Sequence, residues 1–295
     1  MHDLVQASAQ YTDTEYNSDN HEKYRLSIQL RLDGFSFAII EPVQKQLMHL
    51  QNFRLAEKPK QSLENRWIDI HEYFNLLLKQ NHYSLNTFQK TLITVENREY
   101  TFMPDSIFAT GNEKEQLLLS QSIHYSFKEF SNTIPGTDRI LIGAIFKPFY
   151  LMIQDYFESS KLLHSVTVLQ NEIKKYQRKK KQGRALYISV SNHDMHMIAV
   201  HNEELLMSNS FSFTSKEDFV YFILLAYDQL KLNAEKDPIY FLGDISESSP
   251  IYQISWQYIR NIHFIDHTAG IKAGSAFDQM PIHEYFILIQ SALCE

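Results

Sequence analysis

Residues 26–40 read LSIQLRLDGFSFAII, and this stretch decides how the rest of the chain is interpreted. Apolar and polar residues alternate from Leu26 to Leu32, and aromatic and branched residues continue from Phe35 to Ile40. Alternation with a period of two indicates β-strands, and the intervening Asp33-Gly34 is typical of a hairpin with a primed turn. A third apolar run, Met48 to Leu55, completes a predicted three-stranded meander.

The same order of patterns recurs 160 positions later, where Leu186 stands in the place of Leu26. Three strand-like runs and one polar turn are predicted in this second copy: Leu186 to Val190, Ser191-Asn192-His193-Asp194, Met195 to Val200 and Glu204 to Phe213. Each copy therefore begins with a meander.

An amphipathic helix and one further strand follow each meander. Apolar residues recur at helical spacing in both helices: Trp67, Ile70, Phe74, Leu77 and Leu78, then Phe219, Phe222, Ile223, Ala226 and Leu230. Thr214 and Glu217 predict a capping box for the second helix, and the following strands are Thr91 to Val95 and Ile239 to Leu242. The order β-β-β-α-β occurs twice, which indicates a domain duplication rather than a solenoid with its period of ~20 to 50 residues.

The duplication predicts the division of the chain. Residues 1–22 are polar and acidic and form a flexible N-terminal lead-in. Residues 23–182 form a first lobe with its connecting helices, predicted at Pro148 to Glu158 and Ser165 to Tyr176. Residues 183–295 form a second lobe, whose C-terminal helix packs back at the region between the lobes.

Composition restricts the partners. The chain has 295 residues, of which 44% are hydrophobic, enough for two cores. Its net charge of -7 argues against a protein that coats nucleic acid or an anionic membrane, so we expect no nucleic-acid partner. The one cysteine, Cys294, excludes an intramolecular disulfide and fits the reducing cytoplasm. No run reaches the ~20 apolar residues of a membrane span, so direct membrane insertion is not expected.

Motifs for common chemistries are missing. The chain has no Gly-x-Ser-x-Gly elbow, Gly-x-Gly-x-x-Gly fingerprint or Walker A loop. Two histidine groups are candidate metal sites, but chance pairing among 13 histidines is the preferred interpretation: His193, His196 and His201, then His263, Asp266 and His267.

The basic run from Lys174 to Arg184 has two readings. It can be a solvated helix end before a linker, which we prefer because only one aromatic residue, Tyr176, interrupts it. Alternatively, it binds phosphate groups while Tyr176 stacks on a base.

Aromatic residues are abundant, with 20 phenylalanines, 17 tyrosines and 2 tryptophans. The segments Tyr150 to Phe157 and Phe211 to Tyr227 hold several of them. Surplus aromatic surface serves protein interfaces as anchors, although filling of the cores and strand faces is the preferred interpretation.

The duplicated β-β-β-α-β with a helical crossover resembles the fold shared by actin, the heat-shock chaperone ATPases and the sugar kinases. The string RALYISV, Arg184 to Val190, resembles the opening strand of the second lobe of that fold. From Tyr24 onward the chain also resembles an uncharacterised Bacteroidetes family with an actin-like ATPase fold. More distantly, it resembles the degenerate actin-like proteins of type IV pilus and type II secretion systems.

This resemblance implies an α/β fold of the duplicated actin-like (ribonuclease H-like) ATPase type, with two lobes that each contain a mixed sheet begun by a three-stranded meander. Active members carry an acidic residue and glycines in each first hairpin, because backbone N–H groups approach the phosphates and a carboxylate holds Mg²⁺ or orients water.

The matching positions here are Asp33 and Gly34 in the first hairpin, Asp194 in the second, and Gly243 with Asp244 in the adenosine-binding loop. The resemblance implies that they are remnant nucleotide contacts. Turn residues that stabilise their own loops are the preferred alternative, because the second hairpin has no glycine and the chain has only 8 in all.

We therefore predict a non-catalytic scaffold that binds an unknown protein partner, with no catalytic residue and no cofactor assigned. The alternative is a weak or atypical nucleotide-binding ATPase, which would use ATP and Mg²⁺. A homodimer is left open. If the phosphate region is filled by bulky side chains, the candidates are Arg31, Phe35, His193 and Met195.

Overall fold

The computed structural model describes residues 6–56, 61–81, 88–181, 183–266 and 270–294. The chain forms two compact units. Unit 1 comprises Met1–Val168, Gly270–Met280 and Ile287–Glu295, and unit 2 comprises Leu169–Ala269 and Pro281–Phe286.

The main sheet of unit 1 has seven strands. They are β1 (Ala9–Thr12), β2 (Arg25–Arg31), β3 (Gly34–Glu41), β4 (Gln46–Arg54), β5 (Lys90–Val95), β9 (Lys161–His164) and β15 (Lys272–Ala273). The spatial order is β1-β4-β3-β2-β5-β9, with β15 beside β4. The meander β2-β3-β4 is antiparallel, whereas β5 lies parallel to β2 and β9 parallel to β5. The sheet is therefore mixed and begins with the predicted meander.

Aromatic side chains build the core of unit 1. Helix α1 (Leu63–Asn81) presents Trp67 and Phe74 to the sheet, both almost fully buried. The Phe74 ring meets Phe35 edge-on at 4.9 Å between centroids and also contacts Phe149, at 5.4 Å, from α3 (Lys147–Tyr156). Burying a large aromatic side chain contributes ~1.5–3 kcal/mol, so this cluster holds helix and sheet together.

Unit 1 also contains a three-stranded antiparallel sheet that the sequence patterns did not reveal. Its strands are β6 (Tyr100–Pro104), β7 (Phe127–Thr133) and β8 (Arg139–Phe146), in the order β6-β8-β7. Helix α2 (Glu113–Leu118) buries Leu117 among apolar residues of β8.

Unit 2 repeats the meander. Its sheet has the order β12-β11-β10-β13-β14, and its strands are β10 (Arg184–Ser191), β11 (Asp194–His201), β12 (Glu204–Ser212), β13 (Ile239–Gly243) and β14 (Ile262–Phe264). Helix α4 (Ser165–Lys180) enters the unit, and α5 (Lys216–Gln229) and α6 (Pro250–Trp256) follow in sequence. Phe219 and Ile223 of α5 are fully buried with Phe241 of β13.

The two meanders correspond residue by residue at their first hairpins. Arg31 pairs with Gly34 in unit 1, and Ser191 pairs with Asp194, 160 positions later, in unit 2. A β-bulge also recurs at this offset, between Ile39 and Ile40 and between Ala199 and Val200. The predicted duplication of β-β-β-α-β is confirmed.

Three local predictions need correction. The capping box of α5 uses Ser215 and Asp218 rather than Thr214 and Glu217, because Ser215 has the extended backbone of an N-cap. The first hairpin is not a primed turn, as its central residues are Leu32 and Asp33, neither of which has a positive φ. The predicted final helix is a 3-10 turn, Ile282–Tyr285, continued by α7 (Phe286–Ser291).

The C-terminal residues that belong to unit 1 return to its main sheet. The Ser291 and Ser27 hydroxyls lie 2.6 Å apart, and Arg25 donates to the Ala292 carbonyl at 3.4 Å. In the part of the chain that the structure describes, no helix is long and apolar enough to cross a membrane.

Candidate functional site

The first hairpin of unit 1 places Asp33 in its turn and Gly34 at the start of β3. Gly34 has a φ of 148°, and a Cβ there would lie 2.0 Å from the carbonyl oxygen of Phe53 in β4. No side chain fits at that distance. Gly34 is therefore required by the close approach of two strands of the same sheet.

The carboxylate of Asp33 is bound inside the protein. Its Oδ1 lies 3.1 Å from Nε of Arg31, and the two side chains are 10% and 3% exposed. The guanidinium also donates from Nη2 to Oδ1 of Asn52 at 3.2 Å, and the same amide oxygen accepts the Ser36 hydroxyl at 2.6 Å. The charge of Asp33 is thus compensated by a buried arginine of the same hairpin.

The first hairpin of unit 2 is closed differently. Its central residues are Asn192 and His193, and Asn192 adopts the left-handed conformation with a φ of 53°. Asp194 accepts a hydrogen bond from the hydroxyl of Ser212 on β12. The half-buried carboxylate of Asp194 therefore links β11 to β12 through a hydrogen bond to an uncharged hydroxyl group.

The end of β13 meets the same hairpin of unit 2. Gly243 pairs with Val190 of β10, has a φ of 77°, and a Cβ there would lie 2.1 Å from the Val190 carbonyl oxygen. The backbone N–H of Asp244 then donates to that carbonyl at 2.8 Å. Of the predicted site residues, Gly243 and Asp244 thus lie at the end of β10, next to the hairpin that contains Asp194. Asp33 and Gly34 belong to unit 1.

His283 supports this loop and was not predicted from the sequence. Its Nε2 lies 2.8 Å from the carbonyl oxygen of Ile245, and its ring packs on Phe264 at 4.3 Å between centroids. Burial lowers the pKa of His283 below its ordinary 6.5, while the Ile245 hydrogen bond and the charge of Asp244 oppose this shift. The neutral imidazole therefore stabilises the turn after β13 by a hydrogen bond. The two residues are 38 positions apart in the sequence, so no local sequence pattern indicates this contact.

A buried polar cluster lies at the carboxyl ends of the parallel strands of unit 1. Gln29 of β2 donates to Glu96, just beyond β5, at 2.6 Å. His164, the last residue of β9, is fully buried and places Nε2 3.2 Å from Oδ1 of Asn97. Its backbone N–H donates to Oδ1 of Asn132 in β7 at 2.7 Å. This strand edge is where α/β sheets bind ligands, but here the polar groups join the two sheets of unit 1 to each other.

His164 is satisfied at both ring nitrogens. Besides the contact of Nε2 with Asn97, its Nδ1 accepts the backbone N–H of Val166 at 3.2 Å. An imidazole that donates from one nitrogen and accepts at the other is neutral. The cluster therefore has the geometry of a structural hydrogen-bond network.

Two of the bulky residues considered as fillers of a phosphate region are core residues instead. Phe35 and Met195 are both fully buried, in the hydrophobic clusters of unit 1 and unit 2 respectively. Arg31 forms the ion pair with Asp33, and His193 lies in the turn with its ring 6.2 Å from that of Phe213.

Several residues of the basic run Lys174 to Arg184 form intramolecular contacts. Arg178 donates from two nitrogens to Oε2 of Glu203, at 3.0 and 2.9 Å, and Lys175 lies 2.6 Å from Glu172. Tyr176 is only 2% exposed and its hydroxyl donates to Asp266 at 3.3 Å. The hypothesis that Tyr176 stacks on a base is therefore wrong, because the ring lies in the interior of unit 2.

The histidine groups weighed from the sequence do not form a metal centre within the described residues, where no three His, Cys, Asp or Glu side chains are placed to hold an ion. His196 is buried, and its Nδ1 hydrogen-bonds the hydroxyl of Ser210 on β12. His267 lies outside the described residues.

Comparison with known proteins adds the family and the fold. The sequence model of the family described as "Protein of unknown function (DUF3822)" matches residues 13–262. A crystal structure from Bacteroides thetaiotaomicron VPI-5482, a protein with actin-like ATPase fold and unknown function, superimposes with a TM-score of 0.76 at 18% identity. That match covers 95% of this chain and 99% of the other.

A chain of the PilM-PilN type IV pilus biogenesis complex matches with a TM-score of 0.52 at 10% identity, over 91% of this chain and 97% of that one. No curated protein sequence matches at a significant level. The predicted actin-like ATPase fold is confirmed, as is the resemblance to the uncharacterised family and, distantly, to a type IV pilus protein.

Proposed function

The chain belongs to the DUF3822 family, and we propose that it is a non-catalytic member of the actin-like fold, a scaffold that binds another protein. Since one fold hosts many activities, this proposal rests on the strand-end residues and not on the fold.

The observation that carries the proposal is the buried pair of Arg31 and Asp33. In an active ATPase of this fold, the carboxylate of the first hairpin faces Mg²⁺ or the attacking water. Here a guanidinium 3.1 Å away neutralises Asp33, and both side chains are almost fully buried. Replacing arginine by Mg²⁺ as the partner of this carboxylate would break a buried ion pair, at a cost of several kcal/mol.

The glycines support the same proposal. Glycines in a phosphate cradle let backbone N–H groups approach the ligand. Gly34 and Gly243 are instead pressed against backbone carbonyls of neighbouring strands, of Phe53 and Val190. Their lack of a side chain already has a structural reason in each unit.

Protein binding is supported by one relative and by exposed aromatic side chains. PilM, which shares the fold, was solved in a complex with PilN. Most aromatics of Phe211 to Tyr227 lie in the core of unit 2 or pack against it. Tyr221 of this segment is 60% exposed, and Trp256 and Tyr258, farther along the chain, are 59% and 50% exposed. Exposed tyrosine and tryptophan are the residues that anchor protein interfaces. We place the protein in the cytoplasm, because its one cysteine suits a reducing compartment.

A weak or atypical nucleotide-binding ATPase is the second candidate. It is favoured by the position of Asp194 and Asp244, whose loops meet at the carboxyl ends of β10 and β13 in unit 2. Such an enzyme would hold Mg²⁺ through unit 2 alone.

Phosphate release from Mg²⁺-ATP distinguishes the two. The scaffold predicts that the purified chain releases phosphate no faster than an assay blank, and that Asp33→Asn and Asp194→Asn behave like the parent. Release well above the blank that Asp194→Asn abolishes, while the variant remains folded, would replace the scaffold by the atypical enzyme.

A further inference from the structure

The outer strand of the meander in unit 1 is covered by other parts of the chain. Strand β1 pairs antiparallel with β4, from Ala9 opposite Asn52 to Thr12 opposite His49. Flanking hydrogen bonds extend this ladder, since Ser8 N–H donates to the Asn52 carbonyl at 2.7 Å and Asp13 N–H to the Met48 carbonyl at 2.8 Å. The part of β4 that β1 covers is therefore 48–52, and β15 pairs with residues 46 and 47.

The corresponding strand of unit 2, β12, pairs with β11 alone among the described residues. The two meanders align at their closing bonds, where Leu55 N–H donates to Asp33 and Phe213 N–H donates to His193, both at 2.8 Å. Leu55 and Phe213 are 158 positions apart. The same offset places the covered residues 48–52 of β4 on residues 206–210 of β12.

The sequence of β12 has few of the features that usually protect an edge. Natural edge strands are kept short or carry lysine, proline or inward charges, because an open edge pairs with other chains. β12 has nine residues, reads ELLMSNSFS, and has a single charge, at Glu204. Its bulge at Leu206 matches the one at Met48, which does not prevent β1 from pairing with β4. The opposite edge, β14, has only three residues.

We propose that β12 pairs antiparallel with β12 of a second copy of this chain, around a two-fold axis at Ser208. In β4 the carbonyls of Met48 and Asn52 point outward to β1, so their counterparts Leu206 and Ser210 point outward in β12. The backbone N–H and C=O groups of successive residues point to alternate sides of a strand. Those of Ser208, midway between Leu206 and Ser210, therefore point outward as well.

The strand is self-complementary about this residue. Ser208 is the midpoint of Glu204–Ser212 and also of residues 206–210, so the register of greatest overlap is the symmetric one. In a two-fold interface the same surface of both copies is used, so this surface must be complementary to itself. This register sets Met207 opposite Asn209 and covers Leu206, which is 41% exposed, and it brings no like charges together. The sheets of two copies become continuous, and this dimer forms whether or not the chain binds nucleotide.

The first test measures mass against concentration by sedimentation equilibrium of the full chain. We expect the mass to rise from 34.8 kDa toward twice that value with increasing concentration. Ser208→Pro removes an outward N–H but none of the ladder with β11, and should stay monomeric. Ser208→Ala keeps that N–H and loses only the side-chain contact with Gln170, so it should still dimerise.

The second test does not depend on how well the proline variant folds. In a Cys294→Ser background, Ser208→Cys should form a disulfide-linked dimer on mild oxidation, since directly opposed residues have Cα atoms ~5.5 Å apart, within the range of a disulfide. Asn209→Cys, which faces Met207 of the other copy, should not. A monomer at every concentration would overturn the proposal, as would a dimer that Ser208→Pro leaves intact or that Ser208→Cys fails to link.

Discussion

The two units contain the same meander, yet they differ in what closes it. In unit 1 the first hairpin is held by the buried pair of Arg31 and Asp33. In unit 2 the aspartate of the hairpin, Asp194, lies one position later in the register and accepts a hydrogen bond from the hydroxyl of Ser212. The outer strand is covered by β1 in unit 1 and pairs with β11 alone, among the described residues, in unit 2. The duplication thus preserves register and bulge, while the residues at the strand ends have acquired separate structural partners.

The largest expected difference between the units concerns these carboxylates. Asp33→Asn breaks the buried ion pair with Arg31 and should lower the free energy of unfolding by about 3–5 kcal/mol. Asp194→Asn keeps an oxygen that accepts the Ser212 hydroxyl and should cost less than about 1 kcal/mol. Urea denaturation of both variants measures this contrast.

A double variant shows whether the loss of stability comes from breaking the ion pair or from the substitution of Asp33 as such. Replacing both partners, Arg31→Met with Asp33→Asn, removes both charges of the pair and should recover most of the loss. If Asp33→Asn is as mild as Asp194→Asn, the ion pair does not hold the hairpin, and the main support for the scaffold is lost.

The glycines should behave alike in the two units. Gly34→Ala and Gly243→Ala each force a Cβ against a backbone carbonyl in a positive-φ conformation, and each should cost more than about 1 kcal/mol. Gly183→Ala is the matched control, because a Cβ there meets nothing within 4 Å. Thermal unfolding of the three variants is the measurement, and a neutral Gly243→Ala would leave that glycine available for a ligand.

The helices after the meanders provide a smaller contrast. Ser215 accepts the N–H of Asp218 at 3.0 Å, and Asp218 reciprocates to the N–H of Ser215 at 3.1 Å. Ser62 accepts the N–H of Asn65 at 3.2 Å at the start of α1. Ser215→Ala should cost about 1 kcal/mol and Ser62→Ala less, since its cap has a longer bond. Equal losses in denaturant midpoint would show that the reciprocal contact adds nothing.

The smallest expected effect is a pH dependence. Burial lowers the pKa of His21, His49 and His71 in unit 1 and of His283 in unit 2 below 6.5. The unfolded chain then binds more protons than the folded one, so the free energy of unfolding should decrease as the pH falls through 6.5. Denaturation midpoints at neutral and mildly acidic pH measure it. His49→Gln should reduce the slope, and a slope of opposite sign would contradict these assignments.

The two meanders could be predicted from the sequence, and so could the helix and the strand that follow each of them. Their alternation and helical spacing are local patterns. The sheet of β6, β7 and β8 could not, since β7 reads FKEFSNT and is mostly half-buried, without clean alternation. Strand β8 reads RILIGAIF, a continuous apolar run that does not distinguish strand from helix.

The strand-end chemistry was predictable only in part. The order of the elements located Asp33, Asp194, Gly243 and Asp244, but nothing in the sequence indicates that a turn aspartate is buried against Arg31. Asn97, Asn132 and His164 are separated by 32 and 67 positions from their partners, so the network requires the tertiary fold. The division of lobes at residue 182 stays a prediction.

The most direct test of the central claim is thermal unfolding of the purified chain with and without Mg²⁺ and saturating ATP, ADP or GTP. A ligand at ~100 times its dissociation constant stabilises the native state by about 2.7 kcal/mol. The scaffold predicts an unchanged midpoint with every nucleotide. A clear rise that Asp194→Asn abolishes, while this variant remains folded, would contradict it.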